Sequence, residues 1–185
     1  MADSHLSRRT FNKIAATGAA VSALSSGSVN AEDKKGHGLR AGAAEVVADI
    51  PAEGTFLIGP MQTSQGVHDP LYIRALVLSD GDTKLAIVTN DLLGFDFEYN
   101  DRLVDAIHQR TGIPRSHIMI NCSHNHNAPL TIPWSESWEK EKDKPWHTTL
   151  PGQFADAVEK ADEEMVLATV RRNREPTQIS FNRRI

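Results

Sequence analysis

Cysteine is almost missing from this 185-residue chain, in which Cys122 is the only one. A lone thiol excludes an internal disulfide framework, so the fold must be stable without a disulfide. No apolar run approaches the ~20 residues that a transmembrane helix needs. An excess of basic residues is missing as well, since the net charge is −4. Binding to the phosphates of nucleic acid depends on a concentrated basic surface, so we expect no nucleic-acid partner.

The first 31 residues carry the three parts of a secretory signal. Two adjacent arginines stand before an aromatic residue and a lysine in residues 7–13 (SRRTFNK), and an uncharged, mildly apolar stretch covers 14–28. Residues 29–31 (VNA) then supply the small side chains of a cleavage site. This order is typical of a secretory signal, and the paired arginines indicate the twin-arginine route. The alternative, a short amphipathic helix, would need an apolar stripe that these residues lack.

Export by this route is expected to remove residues 1–31 and to deliver residues 32–185 to the periplasm or the medium. The remaining 154 residues fit the ~100–200 residues of one domain. The signal holds three basic residues and one acidic residue, so the remainder has 17 basic and 23 acidic residues, a net charge of −6.

Hydrophobic periodicity predicts both strands and helices. Residues 71–78 alternate between apolar and polar, a Ser-Asp-Gly-Asp turn follows, and residues 84–89 (KLAIVT) return, which predicts a β-hairpin. Further predicted elements are strands at 38–47, 117–121 and 177–181 and helices at 98–110 and 153–170. A helix followed by a short loop and an apolar strand indicates an α/β fold, here a layered mixed sheet with flanking helices.

The sequence ends soon after its last predicted strand. Such an ending favours an incomplete portion of a larger catalytic domain, although a strand that is paired in a sheet can also end a domain.

All three tryptophans, Trp134, Trp138 and Trp146, fall within residues 133–149, where no regular period is present. This stretch is predicted to be a long surface excursion. Its amphipathic rings either contact lipid or substrate or pack within the excursion itself.

The strongest candidate for chemistry is the segment 121–129 (NCSHNHNAP), directly after the predicted strand 117–121. Catalytic loops of α/β proteins tend to lie at such a place. In extended backbone, His124 and His126 would project to the same side. Neutral imidazoles there suit a metal ligand and a neighbouring acid, base or hydrogen-bond donor. On spacing alone, a polar loop with two satisfied histidines is the commoner outcome.

Three other residues have weaker claims. His68 precedes an Asp-Pro turn signal, which favours a turn histidine over a catalytic one. Asp91 follows the second hairpin strand and either approaches the site or caps the next loop. Cys122 ends the strand before His124, where an inert buried thiol is favoured over a nucleophile.

Several motifs occur together in order: 39–42 (LRAG), 66–75 (GVHDPLYIRA), 87–92 (IVTNDL), 123–129 (SHNHNAP) and 181–183 (FNR). This order resembles the neutral/alkaline ceramidase family, and the likeness extends from about residue 38 to the end. Members of the family are exported zinc amidases with a large α/β catalytic domain, which cleave N-acylsphingosines to sphingosine and a fatty acid. The resemblance implies a zinc-dependent hydrolase of ceramide or a related N-acyl lipid, with transient contact to a membrane surface.

The resemblance also implies roles for three residues. The family's Thr-His-Thr-His-Ser-Gly-Pro stretch falls on residues 123–129, so His124 matches a zinc ligand and His126 matches an active-site histidine. Arg183, the second residue of the family's Asn-Arg pair, matches an active-site arginine near the substrate. An arginine at such a place stabilises a developing oxyanion.

This sequence departs from the family pattern at Ser123 and Asn125, which replace threonines, and at Ala128, which replaces glycine. The family's second zinc histidine, its glutamate and tyrosine ligands and the serine beside the zinc lie beyond Ile185. One histidine cannot hold zinc, so we expect residues 1–185 alone to be inactive. The alternative is an exported, non-catalytic domain that keeps the scaffold and binds carbohydrate, lipid or a surface partner.

Overall fold

A computed structural model describes residues 38–59, 61–176 and 178. The described strands are β1 (Arg40–Val47), β2 (Phe56–Leu57), β3 (Gln62–Thr63), β4 (Tyr72–Ser79), β5 (Lys84–Asn90), β6 (Ile118–Cys122) and β7 (Val166–Leu167). The described helices are α1 (Phe97–Thr111), α2 (Trp138–Glu141) and α3 (Trp146–Glu163). The predicted signal, residues 1–31, and the predicted strand at 177–181 lie outside the described residues apart from residue 178. No helix in the described ranges is long and apolar enough to cross a membrane.

Five strands form one mixed sheet in the order β6-β5-β4-β1-β7. Neighbouring strands are antiparallel except β5 and β6, which are parallel. Helix α1 and a short 3-10 turn (Arg115–His117) connect this parallel pair, as a crossover between parallel strands requires. The predicted α/β fold with a mixed sheet and flanking helices is therefore confirmed.

The predicted hairpin is confirmed as the centre of this sheet. All of β5 pairs with β4, from Asn90 opposite Ile73 to Lys84 opposite Ser79. Gly81 has a φ of 98°, a conformation that glycine adopts without steric cost. The Asp80 carboxylate accepts hydrogen bonds from the backbone N–H groups of Asp82 and Thr83, which closes the turn.

Helix α1 also matches its prediction to within one residue at each end. Asp96 caps its N-terminus by accepting a hydrogen bond from the Tyr99 N–H at 2.8 Å. Gly112, with a φ of 71°, ends it in the left-handed conformation typical of helix C-termini.

The main hydrophobic core lies between one face of the sheet and helices α1 and α3. Alternate residues of β4 and β5 point into it, and the helices contribute the residues spaced three or four apart. The fully buried members include Ile73, Val77, Val88, Leu103, Ile107, Leu150, Phe154 and Val158.

Strand β6 is less buried than the sequence indicates. Met119 is 53% exposed, and Ile118 and Ile120 are only half-buried. The reason is topological, because β6 lies at an edge of the sheet and has one neighbouring strand in the described structure.

The second predicted helix was displaced at both ends. Helix α3 begins at Trp146 rather than at 153 and ends at Glu163 rather than at 170. Beyond it, Val166 and Leu167 pair with Ala41 and Arg40 of β1, so backbone pairing replaces the last predicted turns. The predicted surface excursion at 133–149 is wrong for its C-terminal part, because Trp146 is 4% exposed and packs in the core.

Pro151 accounts for the difference between the predicted start of this helix, at residue 153, and its observed start at Trp146. A proline inside a helix lacks the N–H that would bond to the carbonyl four residues earlier, here that of His147. The Tyr99 hydroxyl from α1 donates a hydrogen bond to this same carbonyl at 2.7 Å. The contact between α1 and α3 therefore satisfies the acceptor that Pro151 leaves unpaired, and the helix continues.

Removal of this hydroxyl should be costly. We expect Tyr99→Phe to lower the free energy of unfolding by ~1–3 kcal/mol, because a buried carbonyl is left without its partner while the ring remains. Urea denaturation monitored by circular dichroism measures the change. Tyr72→Phe, on the opposite face of the sheet, is the matched control and should change stability by less than ~0.5 kcal/mol. Equal stability of Tyr99→Phe and wild type would contradict the capping role.

Aromatic rings enclose His147 at the start of α3. Its ring stacks on Trp146 with centroids 3.6 Å apart, while Trp138 and Tyr99 contact it edge-on. The residue is 2% exposed, and neither ring nitrogen has a hydrogen-bond partner in the described structure. Burial, with smaller effects from the cations Arg102 and Lys144, lowers the pKa of His147 to about 4, and the Asp143 carboxylate acts in the opposite direction.

Candidate functional site

The segment 123–129 leaves the carboxyl end of β6, as predicted, next to the loop that leaves β5. Asn90, which is 1% exposed, connects the two strand ends. Its side-chain amide donates to the Asn121 carbonyl at 3.1 Å, and its side-chain oxygen accepts from the Leu92 N–H at 3.2 Å. Its backbone carbonyl accepts from the Ser123 N–H at 3.0 Å. Asn90 is not among the predicted site residues, although a polar side chain at the end of an apolar strand is a usable signal.

His124 is held by the loop that follows β5. Its Nδ1 lies 2.9 Å from the carbonyl oxygen of Leu93, a residue that is 1% exposed. A carbonyl only accepts hydrogen bonds, so Nδ1 is the donor here, and in the neutral imidazole the lone pair is then on Nε2. His124 is an exposed residue, so a ligand can reach its ring.

The backbone geometry expected for the histidine pair was wrong. His124 has a φ of 60°, in the left-handed region that few non-glycine residues adopt, rather than an extended conformation. The rings of His124 and His126 are nevertheless close, with centroids 5.0 Å apart and planes at 77°. The loop turn, and not strand alternation, therefore brings the two imidazoles together.

The short β2–β3 hairpin anchors the backbone of His126. The Gly59 N–H donates to the His126 carbonyl at 2.8 Å, and a Cβ at Gly59 would lie only 2.5 Å from that oxygen. Glycine is therefore required at this close approach. One step further along, Leu130 N–H donates to the Phe56 carbonyl at 2.9 Å, so the far end of the loop is fixed as well.

The residues that the structure describes do not complete a zinc site. No group of three or more histidine, cysteine, aspartate or glutamate side chains lies close enough to hold a metal within these ranges. Zinc sites use three or four protein ligands, and here His124 offers one nitrogen with an oriented ring. The third predicted site residue, Arg183, lies outside the described residues.

The main cavity lies beside the histidine pair but does not include it. It has a volume of about 990 Å³ and is bounded by residues 47–52 and 64–71 and by the 125–129 loop. Asn125 and Asn127 line it, whereas His124 and His126 do not. The loop thus presents its asparagines to the cavity and its histidines elsewhere, so this cavity and the candidate chemistry are separate.

His68 and Asp91 also line this cavity. The His68 side chain is 98% exposed and lies 3.0 Å from Asp69, which agrees with a turn histidine. Asp91 accepts hydrogen bonds from the Tyr72 N–H at 2.9 Å and from the Arg74 guanidinium at 3.1 Å. Asp91 therefore fixes the start of β4 instead of capping the loop that follows it.

Cys122 is half-buried, and burial raises the pKa of its thiol. The Asn90 amide lies 3.4 Å from its sulfur. A raised pKa keeps the thiol protonated near neutral pH, so the structure favours the inert thiol over the nucleophile.

Comparison with known proteins gives a fold-level answer. No protein-family model and no curated protein sequence matches the chain. The structure is similar to neutral ceramidase from Pseudomonas aeruginosa, with a TM-score of 0.58 and 16% identity over 70% of this chain and 22% of that chain. A structure described as ceramidase complexed with C2 matches with the same values. The chain thus spans about a fifth of the length of the ceramidases it matches, and its mixed α/β fold is similar to that part of their structure.

Proposed function

We propose that this chain belongs to an exported, zinc-dependent hydrolase that cleaves the amide bond of ceramide or a related N-acyl lipid to a fatty acid and a sphingoid base. The hydrogen bond between His124 Nδ1 and the Leu93 carbonyl carries the proposal. Histidines that bind metals almost always donate their second ring N–H to a carbonyl or a carboxylate, which fixes the tautomer and the ring orientation. His124 has that arrangement, and its Nε2 remains available.

The backbone at His124 supports the same assignment. A histidine in the left-handed region costs conformational energy, and such residues cluster at functional sites where the surroundings over-determine them. Here the surroundings are the Leu93 carbonyl and the backbone of the β2–β3 hairpin.

His126 is proposed to act on the substrate and not on the metal. Its ring lies edge-on to His124, so a substrate amide beside His124 Nε2 would be within reach of a proton donor or acceptor. Arg183 is proposed to stabilise the negative charge that develops on the amide oxygen. The other zinc ligands would come from outside the described residues. Zinc in such a site activates water and polarises a carbonyl.

Lipid substrates and export fit together in this proposal. The signal at residues 1–31 would place the enzyme outside the cytoplasm, where it meets its substrate in transient contact with a membrane surface. The net charge of −6 after residue 31 argues against nucleic acid as an alternative partner.

The test compares three substitutions in the full-length gene product. His124→Ala should lower the zinc stoichiometry and the activity together, because it removes a ligand. His126→Ala should keep most of the zinc and lose turnover by ~100-fold or more. Arg183→Ala should also keep the zinc, with a loss of ~2–4 kcal/mol in transition-state stabilisation. Metal analysis of purified proteins and amidase assays with an N-acylsphingosine measure both quantities.

His68→Ala is the matched control, because this histidine is almost fully exposed and belongs to the cavity and not to the pair. It should leave both zinc content and turnover unchanged. Equal zinc stoichiometry in wild type and His124→Ala would remove the metal assignment, and the similarity to ceramidase would then describe the fold only.

A non-catalytic binding domain is the second candidate, and the separate cavity of about 990 Å³ favours it. A ligand in that cavity would contact Asn125 and Asn127 rather than the histidines. The two candidates differ in two observables: this alternative requires that His126→Ala retain full ligand binding and that wild type hydrolyse no amide.

A further inference from the structure

The three tryptophans of residues 133–149 have three different environments. Trp146 is 4% exposed in the main core, and Trp138 is half-buried against His147. Trp134 is 63% exposed and lies edge-on to His124, with ring centroids 5.7 Å apart and planes at 74°. Only this tryptophan therefore presents a large apolar surface beside the histidine pair.

The backbone that carries Trp134 is anchored immediately before it. Leu130 and Ile132 are 0% and 4% exposed in a small second core, and the Thr131 hydroxyl donates to the Gly94 carbonyl at 2.5 Å. The Trp134 N–H then donates to the Ile132 carbonyl at 2.8 Å. Gly94 follows Leu93, whose carbonyl orients His124, so the indole and the imidazole rest on the same support.

The indole of Trp134 is exposed to water on an anchored backbone. An apolar group that binds to it removes apolar surface from water, which is favourable. An aromatic side chain buries about 150–250 Å² of surface. Because it has few rotatable bonds, it loses little conformational entropy when a ligand binds to it. A role in shielding His124 from water would not by itself require the outer face of the Trp134 indole to bind a ligand. The indole is nevertheless the aromatic neighbour of the His124 ring on this side of the loop, with the two ring centroids 5.7 Å apart, so it adjoins the place where a group bound to His124 would sit.

We propose that Trp134 forms an apolar wall that receives the hydrocarbon chain next to the scissile amide, and that it determines the preference for chain length. This inference rests on the proposed function, because it takes the amide to lie at the histidine pair. The carbonyl carbon of an N-acyl lipid is bonded directly to its acyl chain, so a carbonyl beside His124 brings the first methylenes against the indole. A longer chain covers more of the ring and binds more tightly.

The experiment compares an acetyl and a dodecanoyl amide of the same sphingoid base, both in detergent micelles at fixed mole fraction. Trp134→Ala should lower kcat/KM for the dodecanoyl amide by roughly tenfold, mainly through KM, and for the acetyl amide by less than about twofold. Trp134→Phe should recover most of the loss, because a smaller aromatic wall remains. Leu167→Ala is the control. It removes an apolar side chain that is 72% exposed on β7, at the opposite edge of the sheet, and should leave kcat/KM unchanged for both amides.

A binding measurement separates this inference from the proposed function. Addition of dodecanoate should shift the tryptophan emission of wild type to shorter wavelength, as water leaves an exposed indole, and the shift should be absent in Trp134→Phe. If wild type cleaves neither amide but keeps this shift, the proposed function fails and the chain-binding role of Trp134 stands. The inference would be overturned if Trp134→Ala lowered kcat/KM equally for both amides, or if Trp134→Phe retained the emission shift.

Discussion

Gly42→Ala is expected to lower the free energy of unfolding by about 3 kcal/mol, although it adds a single methyl group. Gly42 lies in the middle of β1, where helix α3 crosses the sheet, and a Cβ there would overlap the carbonyl oxygen of Ala161. That oxygen belongs to the helix backbone, so no rotamer change relieves the clash. Helix and strand would have to separate, and the contacts of the closely packed core between them would be lost.

Gly152→Ala is the control for this prediction, with the opposite expected sign. Gly152 lies inside α3, and nothing is within 4 Å of a Cβ added to it. Alanine there should stabilise the protein by ~0.5–1 kcal/mol, because glycine is a poor helix residue. Guanidinium denaturation of the three proteins measures both effects. A Gly42→Ala protein within ~0.5 kcal/mol of wild type would show that the strand and the helix are not so close.

Acid should weaken the fold through His147. Its pKa falls from 6.5 to about 4 on folding, so between these pH values the unfolded chain binds a proton that the folded chain does not. Stability from this residue is fully present above pH 6.5 and is lost as the pH falls towards 4. The loss amounts to about 3 kcal/mol, taking 1.36 kcal/mol for each unit of pKa difference.

The test measures the free energy of unfolding at pH 7 and at pH 4.5 and compares the difference between wild type and variants. His147→Leu removes the titrating group from between the aromatic rings and should lose clearly less stability on acidification than wild type does. His68→Ala, which changes a histidine with a 98% exposed side chain, should keep the wild-type pH dependence. The same acid sensitivity in wild type and His147→Leu would assign the effect to other groups.

Local patterns were enough to predict the hairpin and α1. Alternation over β4 and β5 together with the Asp-Gly turn defined the hairpin, and the apolar spacing within residues 98–110 defined α1, which Gly112 ends. Each of these signals acts within a few residues of the chain. The predicted fold class followed from the succession of a helix, a short loop and an apolar strand, which indicates an α/β layer.

Long-range contacts decide the features that the sequence did not reveal. The start of α3 depends on the Tyr99 hydroxyl, 48 residues from the carbonyl that it reaches. The requirement for glycine at position 42 depends on Ala161, and the conformation of His124 depends on the Leu93 carbonyl. At the candidate site, the two histidines were identified from the sequence, but the separation of the cavity from them was not.

The bond between Tyr99 and the His147 carbonyl also constrains the order in which this sequence could have changed over time. A proline at position 151 is tolerable only after a donor reaches that carbonyl, so the tyrosine had to be present first or to arise together with it. Once Pro151 is in place, Tyr99 can no longer be exchanged freely, even for phenylalanine. Among related sequences, positions 99 and 151 should therefore vary as a pair, with proline found only where a hydroxyl donor accompanies it.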